Sequence, residues 1–330
     1  MLAYLVRRLI GGATVMVLVS IFVFGLFFVL PADPARLACG KSCTPELMAE
    51  IRHALELDIP LPEQYFRFVK GIVSGRTYLA GSEAQLDCAA PCLGYSYQTD
   101  QPVTFLLKDR APATLSIAFG ASILWLLIGL SSGIVSALRR ATWIDKFSQG
   151  AALAGASLQI YFVGLVLQFI LVDKLGWLSS PGYVSPNDYP MEWAQGMILP
   201  WLTLGFLLSA IYARLTRAGM IEVMSEDYIR TARAKGLPSR RVNFKHVMRA
   251  AITPIITVFG LDLGQLLGGA VITEYVFNIP GLGKLATEAV SNVDLPVIVG
   301  TVLVAAVFIV IANIVVDLVY MILDPKVRLA

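Results

Sequence analysis

"VIVGTVLVAAVFIVIANIVVDLVYMI", residues 297–322, holds a single charged residue, Asp317. An apolar run of about 20 residues is what a hydrocarbon core roughly 30 Å thick demands of a spanning helix. Toward the N-terminus five more such runs are read, at 9–30, 113–138, 148–172, 197–216 and 252–276. They are too long and continuous for the strands of a transmembrane barrel, which alternate over about ten residues. The whole chain agrees: 57% of its 330 residues are hydrophobic and 15% charged, against about a quarter charged in soluble domains. The expected fold is an all-α polytopic membrane protein with six transmembrane helices. The first run is read as a retained span, because it exceeds the apolar core of about 7–15 residues in a cleaved leader.

The connections set the expected orientation. Sixteen of the 26 Lys and Arg fall on one side: Arg7 and Arg8, Arg139, Arg140 and Lys146, the basic residues from Arg214 to Arg249, and Lys326 and Arg328. Acidic residues concentrate on the other side, so the positive-inside rule predicts that both termini are cytoplasmic. The net charge of +3 is a topology signal, and no nucleic-acid binding is read from it. The chain then divides into residues 1–30 (N-terminus and first span), 31–112 (an extracytoplasmic region between the first two spans) and 113–330. The last is a five-helix core with a cytoplasmic loop at 217–250. Within 31–112 a helix is expected from Thr44 as N-cap and Pro45 at the first helical position, with Leu47, Ile51, Ala54 and Leu55 as its apolar stripe.

One inner loop, "SEDYIRTARAKGLPSRR" (225–241), is charged and well punctuated. Ser225 is the expected N-cap, with Glu226 and Asp227 in a first turn that favours anions. Arg233 and Lys235 occupy the last turn, Gly236 suits a left-handed cap, and Pro238 prevents continuation. Tyr228, Ile229 and Ala232 share one face. On this pattern alone the helix either docks a partner or lies on anionic lipid.

The segment "YIRTARAKGLPSRRVNFKHVMRAAITPIITVFGL" (228–261) resembles the cytoplasmic loop of ABC importer permeases, more narrowly those of the dipeptide/oligopeptide and nickel permease family. "YLVRRLI" (4–10), "LPADPA" (30–35), "APATLSIA" (111–118), "EYVFNIPGLGKL" (274–285) and "DLVYMILDPKVR" (317–328) extend the resemblance over nearly the whole chain. It implies a type I ABC importer permease-like fold and a transport subunit without catalysis or a nucleotide site of its own. The implied setting is a bacterial-type plasma (inner) membrane. The implied partners are a second homologous permease forming a heterodimer, two cytoplasmic ATPases that bind ATP and Mg, and an extracytoplasmic binding protein that delivers peptides. Asp227, Tyr228, Thr231, Ala232, Arg233, Ala234, Lys235 and Gly236 fall on the family's ATPase-coupling helix, where the small Ala232 and Ala234 would allow close approach and Tyr228 would anchor. Nickel chelates or glutathione are alternative cargoes served by similar permeases. Gln159 stands where the family tends to have proline, so the third span is expected to kink less.

Two faces are read in the fifth span. Gly260, Gly264 and Gly268 form a small-residue face for close packing on a neighbour, such as the partner permease. Asp262 and Gln265 lie on another face and are pathway candidates, although Asp262 could instead bond to a neighbouring helix. Glu274, near the outer end, could face delivered substrate, and Asp317 is read as structural. Cys39, Cys43, Cys88 and Cys92 all lie in the outer region, where disulfides are expected with three possible connectivities; a four-thiolate metal site and free thiols are the alternatives, and no metal is assigned. Gly40-Lys41-Ser42 lacks the strand–loop–helix context of a phosphate loop. Ser157 has no base within a span, since His53 and His246 lie outside, so intramembrane proteolysis is not expected. A stand-alone ion-coupled carrier is the alternative from another class; it would use carboxylate relays and internal repeats, neither of which is evident.

Overall fold

The computed structural model describes residues 2–28, 35, 44–54, 58–78, 86–96 and 98–323. Its first element is a long apolar helix, α1 (Leu2–Phe28). A short helix α2 (Pro45–Ala54) follows with Pro45 at its first position. The whole of Leu55 and the side chains of Leu47, Ile51 and Ala54 lie outside the described residues. Next come the amphipathic α3 (Leu61–Ser74) and two small antiparallel hairpins. One pairs β1 (Arg76–Tyr78) with β2 (Leu86–Cys88), the other β3 (Tyr95–Ser96) with β4 (Gln101–Pro102).

The remainder is helical: α4 (Val103–Leu138), α5 (Trp143–Ser157), α6 (Ile160–Lys174), α7 (Pro190–Met224), α8 (Asp227–Ala234) and α9 (Ser239–Leu267). After these come α10 (Val271–Val276), α11 (Leu282–Asn292) and α12 (Leu295–Leu323). Among the described residues five helices are individually long and apolar enough to cross a membrane, and the bent pair α5–α6, taken as one span, brings the total to six. The expected six-helix architecture is what the chain forms.

The boundaries differ from the apolar runs, and each difference has a cause. The helix of the second span starts at Val103 rather than 113 and carries Pro112 inside it. At 36 residues it is about 54 Å long, well beyond a bilayer's apolar thickness. The fourth run at 197–216 becomes the 35-residue α7. The fifth is not continuous to 276: α9 ends at Leu267, and Gly269, with φ of 133°, turns the chain into α10. The third span bends by 103° between α5 and α6, so the expectation of a weaker kink at Gln159 is wrong. Leu158 and Gln159 are both extended. Both halves pack on α7, and α6 in addition packs on α10. Gly155 of α5 sits against Ala210 of α7, whereas Gly164 of α6 sits against Phe277, just past α10.

Glycines set how closely the helices approach. A Cβ on Gly129 would stand 2.6 Å from Tyr212 Cβ, and one on Gly133 would stand 2.7 Å from the Ala213 carbonyl. The α4–α7 pair therefore packs backbone to backbone, around a core that includes Trp125, Tyr212, Leu204 and Ile255. On α9, Gly260, Gly264 and Gly268 face Val316, Ala312 and Ala305 of α12. Their neighbour is thus the sixth span of the same chain, not a partner permease. Arg8 of α1 pairs with Asp317 of α12 at 3.0 Å, which supports the structural reading of Asp317.

The described residues of 58–102 pack at the end of the bundle opposite α8, since α4 begins beside them and its Ala137 packs with Ile229 of α8. Cys88 and Cys92 form a disulfide there, and both are buried. Cys39 and Cys43 lie outside the described residues. Ser96 hydrogen-bonds the buried Asp294, and Val103 seats against Gly300 of α12. Burial of Asp294 raises its pKa, an effect opposed by the Ser96 hydroxyl and the Val297 N–H.

A Gly260→Ala variant should lose about 1–3 kcal/mol by overpacking against Val316, whose Cγ2 is 1.9 Å from the new Cβ position. Thermal unfolding of the purified chain should register this as a lower midpoint. Gly150→Ala, with nothing within 4 Å, should leave the midpoint equal or higher.

Candidate functional site

Three polar features stand out from the apolar bundle: the short helix α8, a groove at Asp262, and a buried carboxylate at Glu274.

The chain leaves α7 through Ser225, whose hydroxyl donates to the Glu222 carbonyl at 2.6 Å. Ser225 therefore ends α7, and Glu226 takes the N-cap position of α8 in its place. The Glu226 carbonyl accepts from the Ile229 and Arg230 amides, and Asp227 sits in the first turn. At the other end Gly236 has φ of 77°. Its amide bonds to the Arg233 carbonyl, and the Leu237 amide reaches back to the Ala232 carbonyl. That pair of bonds is the Schellman closure, and it uses a left-handed glycine as expected.

Eight residues are too few for a helix to persist by propensity alone. Ile229, fully buried, anchors α8 in a cluster with Ala137, Met220, Val242 and Val247. Ala232 and Leu237 pack against the same cluster. Ala232 therefore turns inward, and the face shared with Ile229 is occupied by the chain itself. Tyr228, Thr231, Arg233, Ala234 and Lys235 are exposed. Tyr228 is 49% exposed, and partial burial, then the Glu226 carboxylate, raises its pKa so that it stays a neutral phenol. The Arg230–Asp227 pair, 3.4 Å apart with both side chains largely exposed, contributes little to stability.

A second charge pair holds the base of this structure. Arg217 of α7 grips Asp145 of α5 with two hydrogen bonds, of 2.7 and 2.9 Å. The same carboxylate accepts from the Ser136 hydroxyl and the Ala141 amide. The side chain of Asp145 is only 6% exposed. Sequence reasoning counted both residues as loop charges and missed this pairing. The available signal was a lone acid in an otherwise basic inner loop.

In the bundle, Tyr212 donates to the Asp262 carboxylate at 2.8 Å. Asp262 thus does bond a neighbouring helix, and it also opens onto a groove. Together with Gln265, Leu204, Leu208, Ile160 and Thr273 it lines a cavity of about 310 Å³ between α6, α7 and the α9–α10 break. Gln265 is exposed there.

Glu274 does not face the exterior; it is fully buried. Its carboxylate accepts from the Thr114 hydroxyl (2.7 Å), the Ala270 amide (3.2 Å) and the Lys284 amide (2.8 Å). Thr114 in turn accepts from the Leu282 amide. A Cβ on Gly281 would lie 2.3 Å from the Glu274 carboxyl carbon, and one on Gly283 would lie 2.7 Å from the Val271 backbone. The glycines of "IPGLGK" therefore let this loop close over the carboxylate. The tie joins α4, α10 and α11, and a buried acceptor at this spot is what the backbone requires.

Comparison with known proteins adds the following. Residues 112–329 match the family described as "Binding-protein-dependent transport system inner membrane component", and residues 1–118 match the N-terminal component of such systems. A probable peptide ABC transporter permease of Sinorhizobium fredii is 35% identical, covering 98% of this chain and 99% of the relative. A dipeptide transport system permease of Alkalihalophilus pseudofirmus is 34% identical, covering 99% and 100%. A glutathione transport system permease of Escherichia coli is 35% identical, covering 99% of each. Among solved structures, the inward-facing MetNI methionine ABC transporter aligns with a TM-score of 0.50 at 18% identity, over 67% of this chain and 97% of that one. That likeness is one of fold.

Removing the Glu274 carboxylate (Glu274→Ala) leaves two backbone donors and a hydroxyl unpaired, at about 1–3 kcal/mol for a lost buried partner. Asp145→Asn should cost about 3 kcal/mol by unpairing Arg217. Both should lower the unfolding midpoint in detergent. Only Glu274→Ala should speed tryptic cleavage at Lys284.

Proposed function

The chain belongs to the binding-protein-dependent transport system inner membrane components, and from that premise we propose that it forms half of a pathway for short peptides. A second, homologous permease supplies the other half as a heterodimer, and an extracytoplasmic binding protein delivers the cargo. Two cytoplasmic ATPases, binding ATP with Mg, drive the cycle; this chain is the transport subunit and not a catalyst. Peptide and dipeptide permeases among its relatives support that cargo. The glutathione permease relative favours including small γ-linked peptides in the same class. The Lys and Arg asymmetry of the connections supports cytoplasmic termini, which puts α8 on the cytoplasmic side.

The observation that carries the reading is the exposure of α8. It is anchored by Ile229 on one side and presents Tyr228, Thr231, Ala234 and Lys235 on the other. An amphipathic aromatic beside a small residue is the composition of a contact hot spot. We assign Tyr228, Thr231, Ala234 and Lys235 to contact with an ATPase. Asp227 and Arg233 flank that contact. Ile229, Ala232 and Gly236 position the helix. The Asp262–Gln265 groove, at the break in the fifth span, is the stretch of pathway this chain contributes. ATP-coupled import is favoured over an ion-coupled carrier because α8 has no role in the latter.

Purification of the tagged chain from its native membrane should bring a second permease and two ATPases with it. Ala234→Glu and Tyr228→Ala should each lower ATP-driven peptide uptake about tenfold or more, at unchanged membrane levels. Normal uptake by both variants would remove the coupling assignment. Asp262→Ala should alter uptake or selectivity without releasing the ATPases; unchanged uptake would leave Asp262 as a helix tie to Tyr212 alone.

A further inference from the structure

At the α8 end of the bundle, the turn between α4 and α5 reads "RRATWIDKF", residues 139–147. Its one acid, Asp145, is withdrawn from the surface by Arg217, Ser136 and the Ala141 amide. Arg139, Arg140 and Lys146 are left exposed, and their side chains make no ion pair among the described residues. The turn is therefore a local concentration of positive charge with no compensating acid. Beside it, Trp143 and Phe147 stack at 5.7 Å between ring centroids, with Trp143 76% exposed. An exposed aromatic pair at the end of a membrane span is an interfacial feature, with apolar rings at headgroup depth.

Directly above this corner a groove of about 450 Å³ rises between α4, α5 and α7. Its walls include Ile128, Val135, Ile144, Phe147, Phe206 and Ala210. Three of the four serines that line it are bonded to their own helices: Ser131 to the Leu127 carbonyl, Ser132 to Ile128 and Ser209 to Phe206. The groove offers no unsatisfied hydroxyl from these three and suits a hydrocarbon chain. It spans about 10 Å along α4, from Ile128 to Val135, by the rise of a helix. It is also separate from the polar groove: Phe206 and Ala210 each lie two residues, or about 200°, round α7 from Leu204 and Leu208.

We propose that this corner is a binding site for an anionic phospholipid of the leaflet on the α8 side. The phosphate sits among Arg139, Arg140 and Lys146, the glycerol lies against Trp143 and Phe147, and one acyl chain fills the groove. Charge complementarity selects this occupant over a protein helix, since a partner helix seated here would have to bring its own acids to three cations. The bound lipid would wedge the α4–α5 turn beside the Asp145–Arg217 pair, and so bear on the base of α7 from which α8 hangs.

The test is native mass spectrometry of the full chain, as purified with whatever subunits accompany it, after exchange into dioleoyl phosphatidylglycerol or dioleoyl phosphatidylcholine. Phosphatidylglycerol should be retained under activation that strips phosphatidylcholine. The exposed double variant Arg139→Gln/Arg140→Gln should lower that retention on the order of tenfold. Ala151→Trp, which fills the groove from α5, should lower it with an unchanged melting temperature. The basic pair Arg240 and Arg241, elsewhere at the same end, serves as control, and its Gln variants should retain lipid normally. Equal retention of the two lipids, or undiminished phosphatidylglycerol in either test variant, would overturn the proposal. So would a photo-crosslinker at position 147 that labels a partner permease rather than lipid.

Discussion

A helix broken inside a membrane protein exposes backbone amides where no water can take them, and each unsatisfied group costs several kcal/mol. In this chain the Glu274 carboxylate meets that demand. It takes the Ala270 amide at the break between α9 and α10 and the Lys284 amide in the first turn of α11, and the Thr114 hydroxyl brings in the Leu282 amide. Without this acceptor the Ala270 amide at the break would lose its side-chain partner. The groove at Asp262 depends on the break, since Gly269, Ala270 and Thr273, which line it, belong to the break or its far side. The buried acid is thus structural for the element beside which transport is proposed.

The second organising feature is mechanical. The helix α7 runs from Leu204 and Leu208 at the groove, through Tyr212 beside Asp262, to Arg217 at its charge pair with Asp145 and Met224 at the root of α8. Close packing on α4 through Gly129 and Gly133 leaves little room for α7 to bend separately. A displacement of α8 by a partner is therefore conveyed to the groove through one stiff rod. The bidentate Asp145–Arg217 pair ties α5, the first arm of the third span, to the same rod. By contrast, the Asp227–Arg230 pair on α8 is solvent-exposed and leaves the helix surface free for other contacts.

The two ends of the bundle are built differently. At one end a disulfide, two hairpins and α3 dress the start of α4 and α12, with Ser96 reaching across to Asp294. At the other, the eight-residue α8 is anchored by Ile229, with Ala232 and Leu237 packed on the same cluster. The first arrangement is covalently and sterically constrained, whereas the second rests on a small apolar cluster and leaves most of α8 exposed.

Much of the architecture was legible in the amino-acid order. Hydropathy alone yields six spans, because a bilayer tolerates few alternatives to a long apolar helix. Local chemistry also located α8 and its Gly236 terminus, since a left-handed cap is a property of a few adjacent residues. Tertiary structure decided the rest. Whether Ala232 faces a partner or its own chain depends on where Val242 and Val247 fold back. The bend at Gln159 accompanies a contact that α6 makes with α10 beyond the one both halves make with α7. Glu274, read as an acid that could face delivered substrate, is a buried acceptor because glycines 281 and 283 let the following loop close on it and Thr114 reaches it from α4. Periodicity and capping are encoded by neighbours in the chain; which face meets lipid, partner or core is set by neighbours in space, and no single segment contains that information.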